Sequence, residues 1–249
     1  MALIDPDQAE RDVFVLSERY DPIEGPWHAH RRAQLIHASE GVLTVRTHAG
    51  LWVVPPQRAV WILPGIAHQV FSRKAFWLRT LYAEPGAAPL PDECCVVGVD
   101  RLVDELLIAA SEFGAGYPLG GPEGRLIQVI LDRLPQLRIS PLHLPSPRDA
   151  RLKGITSALA MEPADARTLG ELAAGVGLTE RTVARLFLKE TGLTFGQWRR
   201  QLRLLAALER LGAGESVSNV ALEVGYEDVS SFIAVFKTAL GDTPARYFR

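Results

Sequence analysis

The sequence contains few cysteines and no long hydrophobic run. Its only two cysteines, Cys94 and Cys95, are adjacent. They cannot build a disulfide framework and lack the paired spacing of a zinc knuckle. No stretch approaches the roughly 18 consecutive apolar residues of a membrane helix. The N-terminus carries Asp5, Asp7 and Glu10 where a signal peptide would carry positive charge. These absences predict a soluble, cytoplasmic protein whose folding depends on packing.

Neither sign of charge dominates the 249-residue chain, whose formal net charge is −2. Residues 1–149 hold 14 Lys and Arg against 18 Asp and Glu, whereas residues 150–249 hold 13 against 11. This modest asymmetry does not by itself identify a surface that binds nucleic acid. With 47% apolar residues the chain can bury a sizeable core, which excludes a disordered or fibrous protein. Its length suits one large domain or two ordinary ones.

The first hundred residues have the pattern of short β-strands. Four β-rich runs are separated by Pro and Gly residues, and regularly spaced short strands predict a sandwich or small barrel. We assign this β domain to residues 1–97. The four runs are Gly41–Thr47, Leu51–Val54, Ala59–Leu63 and Phe76–Tyr82.

Helical spacing replaces the β pattern from Val99 onward. Two amphipathic helices are predicted, Val99–Gly114 and Glu123–Leu137, within a helical region of residues 98–139. Residues 140–148 include three prolines and cannot sustain a helix, so we interpret them as a linker. Residues 149–249 are helical by pattern. The predicted fold class is therefore α+β with two domains.

Two segments of the C-terminal region resemble each other, Leu169–Gly192 and Val217–Gly241. Each begins with a short helix, turns through Val-Gly, and continues into a helix with a Phe and a Lys before a closing Gly. A small residue where two helices cross and a Gly in the turn are typical of a helix-turn-helix unit. These residues are Ala173 and Gly177 in the first unit and Ala221 and Gly225 in the second. The sequence therefore predicts an internal duplication of this unit.

The run Phe195–Leu211 between the two units is strongly helical. At a rise of about 1.5 Å per residue it forms a rod of roughly 25 Å. Together with the flanking helices, this length approaches the repeat of DNA, which is about 34 Å. Two recognition helices held in this way could enter successive major grooves on one face of DNA.

Several motifs of the C-terminal hundred residues occur in a recognisable order. They are Val224-Gly225-Tyr226-Glu227-Asp228, Ser231-Phe232, Phe236-Lys237, Gly241-Asp242-Thr243-Pro244 and Arg246-Tyr247, with Thr179, Arg181, Arg185-Leu186-Phe187 and Gly192 in the first unit and Arg203, Ala206 and Leu208 in the middle helix. This region resembles the DNA-binding domain of the AraC/XylS family of bacterial transcription regulators. The resemblance implies that outward residues of both recognition helices contact DNA. These are Thr179, Glu180, Arg181, Ala184 and Arg185 in the first, and Val229, Ser230, Ile233, Ala234 and Lys237 in the second.

The two recognition helices differ in the chemistry of these outward residues. Arg181 and Arg185 suit base contacts, because Arg can donate two hydrogen bonds to guanine. The alternative is that these arginines are only solvated or ion-paired. In the second helix Ala234 stands where family members often carry a polar or basic residue. We expect that helix to position the domain through phosphate contacts from Lys237 and its N-terminus.

Three histidines of the β domain predict a metal site. His28 and His30 are two residues apart, so on a strand they would share one face, and Gln34 and His68 can join them. Three imidazoles and an amide suit a divalent transition metal such as Zn, Ni, Fe or Mn. The pattern His-x-His, Gln and a later Gly41, followed by Gly65-x-x-His68, resembles the two motifs of the cupin barrel.

The cupin resemblance implies a jelly-roll-like sensor domain with His28, His30, Gln34 and His68 as metal ligands. The alternative is that these residues line an organic effector pocket and bind no metal. Aromatic residues here most often fill a barrel, but some can face a ligand. The candidates that we assign to an effector pocket are Trp27, Trp52 and Trp61.

These observations predict a metal- or ligand-responsive transcription regulator that binds double-stranded promoter DNA and is not an enzyme. In the resembling family the helices after the barrel form the dimer contact, so we expect a homodimer. RNA polymerase is an expected partner if the protein is an activator, and no membrane partner is expected. Two alternatives remain open. One is a metal-dependent cupin dioxygenase or isomerase fused to a DNA-binding domain, and the other is a regulator whose N-terminal domain only dimerises.

Overall fold

The structure, a computed structural model, describes residues 5–87 and 91–248. The chain forms two compact units. The first holds the chain up to His143, except Ala49–Leu51, and the second holds Ala49–Leu51 and the chain from Leu144 onward. The first unit combines antiparallel strands with two helices, and the second is helical. The expected α+β class with two domains is confirmed. No described helix is both long and apolar enough to cross a membrane.

The strands of the first unit form two antiparallel sheets. Their bounds are β1 (Val13–Tyr20), β2 (Ile23–Glu24), β3 (Ala33–Glu40), β4 (Leu43–Thr47), β5 (Gly50–Val54), β6 (Arg58–Ile62), β7 (His68–Ser72), β8 (Phe76–Ala83), β9 (Cys95–Gly98), β10 (Ile139–Ser140) and β11 (His143–Pro145). One sheet has the order β1-β8-β3-β6-β9-β10, and the other has the order β11-β5-β4-β7-β2. The four predicted strands correspond to β4, β5, β6 and β8 within two residues at each end.

The two faces of the six-stranded sheet have different neighbours. On one face Leu35 lies opposite Trp61 and Leu81, and these side chains belong to a core that includes residues of the two helices. Successive side chains of a strand point to opposite faces. Gln34, which lies opposite Ile62 and Tyr82, therefore points away from the helices. The face that bears Gln34 is the inner face of the first unit.

The two helices of the first unit, α1 (Arg101–Ser111) and α2 (Pro122–Arg133), pack on the outer face of this sheet. The Asp100 carboxylate accepts the amide N–H of Val103 and caps α1. The sheet does not bury the two helices completely. Their buried residues include Val103, Leu107 and Ala110 of α1 and Ile127, Ile130 and Leu131 of α2, whereas Leu102 and Val129 remain exposed.

The predicted linker contains strands. β10 pairs with β9, and β11 is the outermost strand of the other sheet. Prolines prevent a helix in this segment, as expected, but they are compatible with an edge strand because an edge residue need not donate a ladder hydrogen bond. The end of the segment is held within the second unit, where the Trp198 indole N–H donates to Pro145 O at 2.8 Å and Glu190 accepts the amide N–H groups of Arg148 and Asp149.

The second unit contains the expected helices. They are α3 (Ala150–Met161), α4 (Leu169–Gly175), α5 (Glu180–Thr191), α6 (Phe195–Gly212), α7 (Val217–Glu223), α8 (Val229–Leu240) and α9 (Pro244–Tyr247). The Thr179 side chain caps α5 and the Asp228 side chain caps α8. Gly192 and Gly241 end these two helices in the left-handed conformation. The duplicated pairs are therefore α4 with α5 and α7 with α8.

Candidate functional site

Three histidines of the first unit converge on one point. His28 forms an isolated bridge with His68, in which each amide N–H donates to the other residue's carbonyl oxygen. His30 lies in the loop before β3, and its carbonyl oxygen accepts the amide N–H of Gly65. One ring nitrogen from each histidine lies within 4.8 Å of the other two. The sequence predicted this set but gave the wrong reason, because His30 lies outside any strand.

The three imidazoles share one hydrogen-bonding pattern. The Nδ1 atoms of His28, His30 and His68 lie 3.1, 2.6 and 2.9 Å from backbone carbonyl oxygens. A carbonyl oxygen can only accept, so each Nδ1 carries a hydrogen and donates it. This leaves Nε2 as the nitrogen that can ligate a metal, and such a partner on the other ring nitrogen is typical of metal-binding histidines.

His68 provides the most constrained of these nitrogens. Its side chain is fully buried, and its Nε2 has no hydrogen-bond partner among the described residues. Burial lowers the pKa of His68 to about 4, so the imidazole is neutral at pH 7. A neutral, buried imidazole nitrogen without a partner is the form that a divalent metal requires.

Gln34 faces the cluster with its amide oxygen. Its Oε1 lies 2.9 Å from His30 Nε2, while its Nε2 donates to the hydroxyls of Thr80 and Tyr82 at 2.9 and 3.1 Å. With the His30 hydrogen on Nδ1, two lone pairs face each other at this distance. A metal ion bound by both atoms would remove the repulsion. Thr80 and Tyr82, which hold the amide, were missed by the sequence analysis, although their i, i+2 spacing on a strand is the signal for a shared face.

The donor set fits a divalent transition metal. Tetrahedral zinc with bonds of about 2.0–2.1 Å to nitrogen holds its ligands about 3.4 Å apart. The ring nitrogens, which lie within 4.8 Å of one another, reach this spacing by small side-chain movements. All four side chains are uncharged ligands, and the charge of a cation would remain uncompensated. This arrangement suits an exchangeable ion, or one that also takes an anionic external ligand, more than a permanent structural ion.

The three tryptophans assigned to an effector pocket lie in three different environments. Trp27 is 47% exposed and stacks on His48, with ring centroids 5.0 Å apart. Trp61 packs in the core with the helices, and its indole N–H donates to Pro91 O. It lies on the face of β6 opposite to Ile62 and thus away from Gln34, so the assignment of Trp61 to the pocket is corrected. Of the three, Trp52 combines burial with an unpartnered indole nitrogen.

His143 is a neighbour of Trp52, although it has no partner spacing in the sequence, which predicts a surface or satisfied residue. The two rings stack with centroids 4.3 Å apart and an interplanar angle of 13°. His143 Nε2 is buried and has no hydrogen-bond partner among the described residues. The correction follows from β11, which places His143 in the sheet that also contains β5, where the sequence predicted a linker.

The outward residues of α5 are accessible. Thr179, Glu180, Arg181, Ala184 and Arg185 are exposed, as predicted for residues that contact DNA. Neither Arg181 nor Arg185 forms an ion pair among the described residues. Lys189 is also exposed, one turn after Arg185, and its i+4 spacing could have identified it as a further cation of this face.

The outward surface of α8 is less polar. Ser230, Ala234 and Lys237 are exposed, whereas Val229 and Ile233 are half-buried. Lys237 lies in the last turn of the helix. The structure therefore brings one predicted cation to this surface, and the two aliphatic residues expose only part of their area there.

Arg203 in the middle helix α6 has a structural role. Its guanidinium donates to Pro163 O at 3.1 Å and to Gly225 O at 2.8 Å, and lies over the Tyr226 ring. These bonds hold the turn of the second helix-turn-helix unit against α6. The matching position in the AraC/XylS resemblance is thus explained by packing within the domain.

Comparison with known proteins identifies the family. The helix-turn-helix domain family matches residues 172–249. HTH-type transcriptional regulator NimR from Escherichia coli (strain K12) is 38% identical over 235 residues, which cover 94% of this chain and 86% of NimR. HTH-type transcriptional regulator RipA from Corynebacterium glutamicum is 38% identical over 104 residues, which cover 42% of this chain and 31% of RipA.

A solved structure of wild-type ToxT from Vibrio cholerae strain SCE256 with bound unsaturated fatty acid aligns with 97% of this chain and 96% of its own, at 11% identity and a TM-score of 0.41. The matches to NimR and to the helix-turn-helix domain are those that carry the assignment. The chain belongs to the AraC family of HTH-type transcriptional regulators, whose members bind promoter DNA.

Proposed function

We propose that the first unit binds a divalent transition metal through His28, His30 and His68, with the amide oxygen of Gln34 as the fourth ligand. Occupancy of this site controls promoter binding by the second unit. The single observation that carries the proposal is the common orientation of the three imidazoles. Each places its Nδ1 on a backbone carbonyl oxygen, which leaves its Nε2 for a ligand, and one ring nitrogen of each lies within 4.8 Å of the other two. The metal would supply a positive charge that attracts an external ligand.

Regulation then follows from a difference in affinity between two states of the protein. An effector changes DNA binding only if it binds the DNA-competent state and the other state with different affinity. In a second form of the proposal, the same histidines bind a small-molecule effector through hydrogen bonds, and no metal is involved. In both forms the residues that respond first are the imidazoles and the Gln34 amide, which Thr80 and Tyr82 orient.

Promoter contacts in this proposal come mainly from α5, where Arg181 and Arg185 would contact guanine bases. Lys237 of α8 would contact phosphate. We further infer a homodimer that uses the exposed residues Leu102 and Val129 of α1 and α2. Sedimentation of Leu102→Asp together with Val129→Asp tests this point, with a lighter species expected than for the wild type.

Elemental analysis of the purified full-length chain tests the metal site. We expect about one transition-metal ion per chain in the wild type and in His48→Ala, because His48 lies outside the cluster. His68→Ala should lose the metal, because it removes the most buried ligand. Equal metal content in His68→Ala and His48→Ala would contradict the assignment of the ligands.

Operator binding tests the control. Coupling free energies between sites are typically about 1–3 kcal/mol, so we expect removal of the metal by a chelator to change promoter affinity at least about fivefold. Readdition of Zn, Ni, Fe or Mn, each separately and at fixed salt, should restore it. Turnover of a small molecule by the metal-loaded chain would favour the enzyme alternative. Promoter binding indifferent to metal and to small molecules would favour the alternative in which the first unit only dimerises.

A further inference from the structure

Trp52 and His143 form a stacked pair with two unpartnered polar atoms. Trp52 is 2% exposed, yet its indole N–H has no acceptor among the described residues. His143 Nε2 is buried and unpartnered in the same ring pair. A buried polar group without a partner is costly, and most such groups in proteins are satisfied. Two such atoms in one stacked ring pair indicate a place where a bound molecule supplies the missing partners.

The pair lies on the same face as the histidine cluster. β4 and β5 are neighbours joined by a two-residue turn, which places Thr47 opposite Gly50 and Val45 opposite Trp52. Thr47 also lies opposite His68. Residues directly opposite each other share a face of the sheet. Trp52 and His68 therefore both point to the inner face of the first unit.

Trp52 and His68 belong to different strands, β5 and β7, on this face. β5 and β7 are separated by β4 alone, so their backbones are about 10 Å apart. One small organic molecule can span this distance, with one end at the imidazoles and the other at the Trp52–His143 pair.

The chemistry of the pair selects an uncharged acceptor. An indole N–H can only donate. Burial lowers the pKa of His143 to about 4, so its imidazole is neutral at pH 7 and can present Nε2 as a second N–H donor. A carbonyl oxygen can accept from both donors. A carboxylate would be buried beside two neutral groups without a counter-charge, and an ammonium group would find no acceptor.

We propose that Trp52 and His143 bind the carbonyl-type oxygen of a small, uncharged organic effector on the inner face of the first unit. This rests on the proposed function only in that the effector controls DNA binding, because the site itself needs no metal. His143 lies in β11, which continues into the second unit at Leu144. The effector would thus contact the strand that leads to the DNA-binding unit.

Benzamide is the probe for this site, with benzoate and benzylamine as charged analogues of the same size. The full-length chain is labelled with ¹⁵N at its five tryptophans, and Trp52→Phe identifies the Trp52 indole signal. We expect benzamide at millimolar concentration to shift this signal and to leave that of the exposed Trp77 in place. Benzoate and benzylamine should bind more weakly than benzamide.

Two variants separate the hydrogen bonds from the ring stack. Trp52→Phe and His143→Phe each keep an aromatic ring and remove one polar atom, so we expect each to weaken benzamide about tenfold, the value of one hydrogen bond. Trp77→Phe, at an exposed position, is the matched control and should bind benzamide as the wild type does. If Trp52→Phe fails to fold, His143→Phe gives the same test while the Trp52 signal remains visible.

Three outcomes would overturn the proposal. They are no movement of the Trp52 signal with benzamide, unchanged benzamide affinity in the folded Trp52→Phe or His143→Phe chain, and tighter binding of benzoate or benzylamine. The titration is made on metal-loaded and metal-stripped protein. If promoter affinity does not depend on metal but benzamide still binds, metal control is refuted and the proposal for this site stands.

Discussion

The two helix-turn-helix units share a scaffold and differ in what they present to solvent. In each recognition helix two buried side chains occupy equivalent positions, Val183 and Phe187 in α5 and Phe232 and Phe236 in α8. Each helix has a side-chain cap at its start and a left-handed Gly at its end. Counted from the cap, the exposed positions Arg181, Arg185 and Lys189 of α5 correspond to Ser230, Ala234 and Thr238 of α8. At these three positions the first helix-turn-helix unit presents cations and the second presents none.

The turns of the two helix-turn-helix units also differ, in how closely each is packed. Gly177 and Gly225 both have positive φ, 69° and 87°. A Cβ at Gly177 would meet no atom within 4 Å, whereas a Cβ at Gly225 would lie 2.7 Å from Arg203 Nη2 and 2.9 Å from the Ala164 backbone. The second helix-turn-helix unit is therefore packed closely against the rest of its domain. We infer that the duplication has separated a unit that recognises bases from a unit that supports and positions it.

The largest effect is expected at the turns. Gly177→Ala should lower the free energy of unfolding by about 1–2 kcal/mol, the cost of a left-handed conformation for a residue with a Cβ. Gly225→Ala should cost about 3 kcal/mol or more, because the backbone contact with Ala164 adds steric strain. Urea unfolding followed by far-ultraviolet circular dichroism measures both. An equal loss of unfolding free energy in the two variants would show that both turns are equally free of steric contact.

A smaller effect is expected at the exposed faces of α5 and α8. Arg181→Ala should lower affinity for a promoter fragment by about 1–3 kcal/mol, or about 5- to 150-fold, and relax preference at one base pair. Ser230→Ala, at the equivalent position of α8, is the matched control and should change affinity by less than about twofold. Fluorescence anisotropy with DNA selected by the wild-type protein from random sequences measures both. A loss for Ser230→Ala as large as for Arg181→Ala would remove the distinction between the units.

The duplicated unit could be predicted from sequence because its signals are local. Capping residues, a Gly in each turn and apolar residues at helical spacing all lie within one short segment, so Thr179, Gly177 and Phe187 could be placed without knowledge of the rest of the fold. The four predicted strands were found for the same reason, since Pro and Gly mark their ends. By contrast β1 and β7 contain polar residues such as Glu18 and Gln69, which hide the strand pattern.

Properties that depend on pairing between distant strands could not be predicted. The sequence identified His28, His30 and His68, but the bridge and loop that orient them come from contacts across the first unit. Whether Trp61 faces the helices or the inner face depends on the register between β3 and β6, and a shift of one residue would reverse it. His143 was missed because its neighbour Trp52 lies far away in the sequence.

The smallest effect is expected at Lys237, which tests whether α8 contacts DNA through phosphate alone. Lys237→Ala should reduce the slope of log affinity against log salt by about 0.9, because one phosphate contact and its released counterion are lost. Affinity should fall by a similar factor for every operator sequence, since a phosphate contact carries no base information. Thr238→Ala is the matched control and should leave the slope unchanged. A change of base preference in Lys237→Ala would mean that α8 also recognises sequence, and the two units would then differ in degree only.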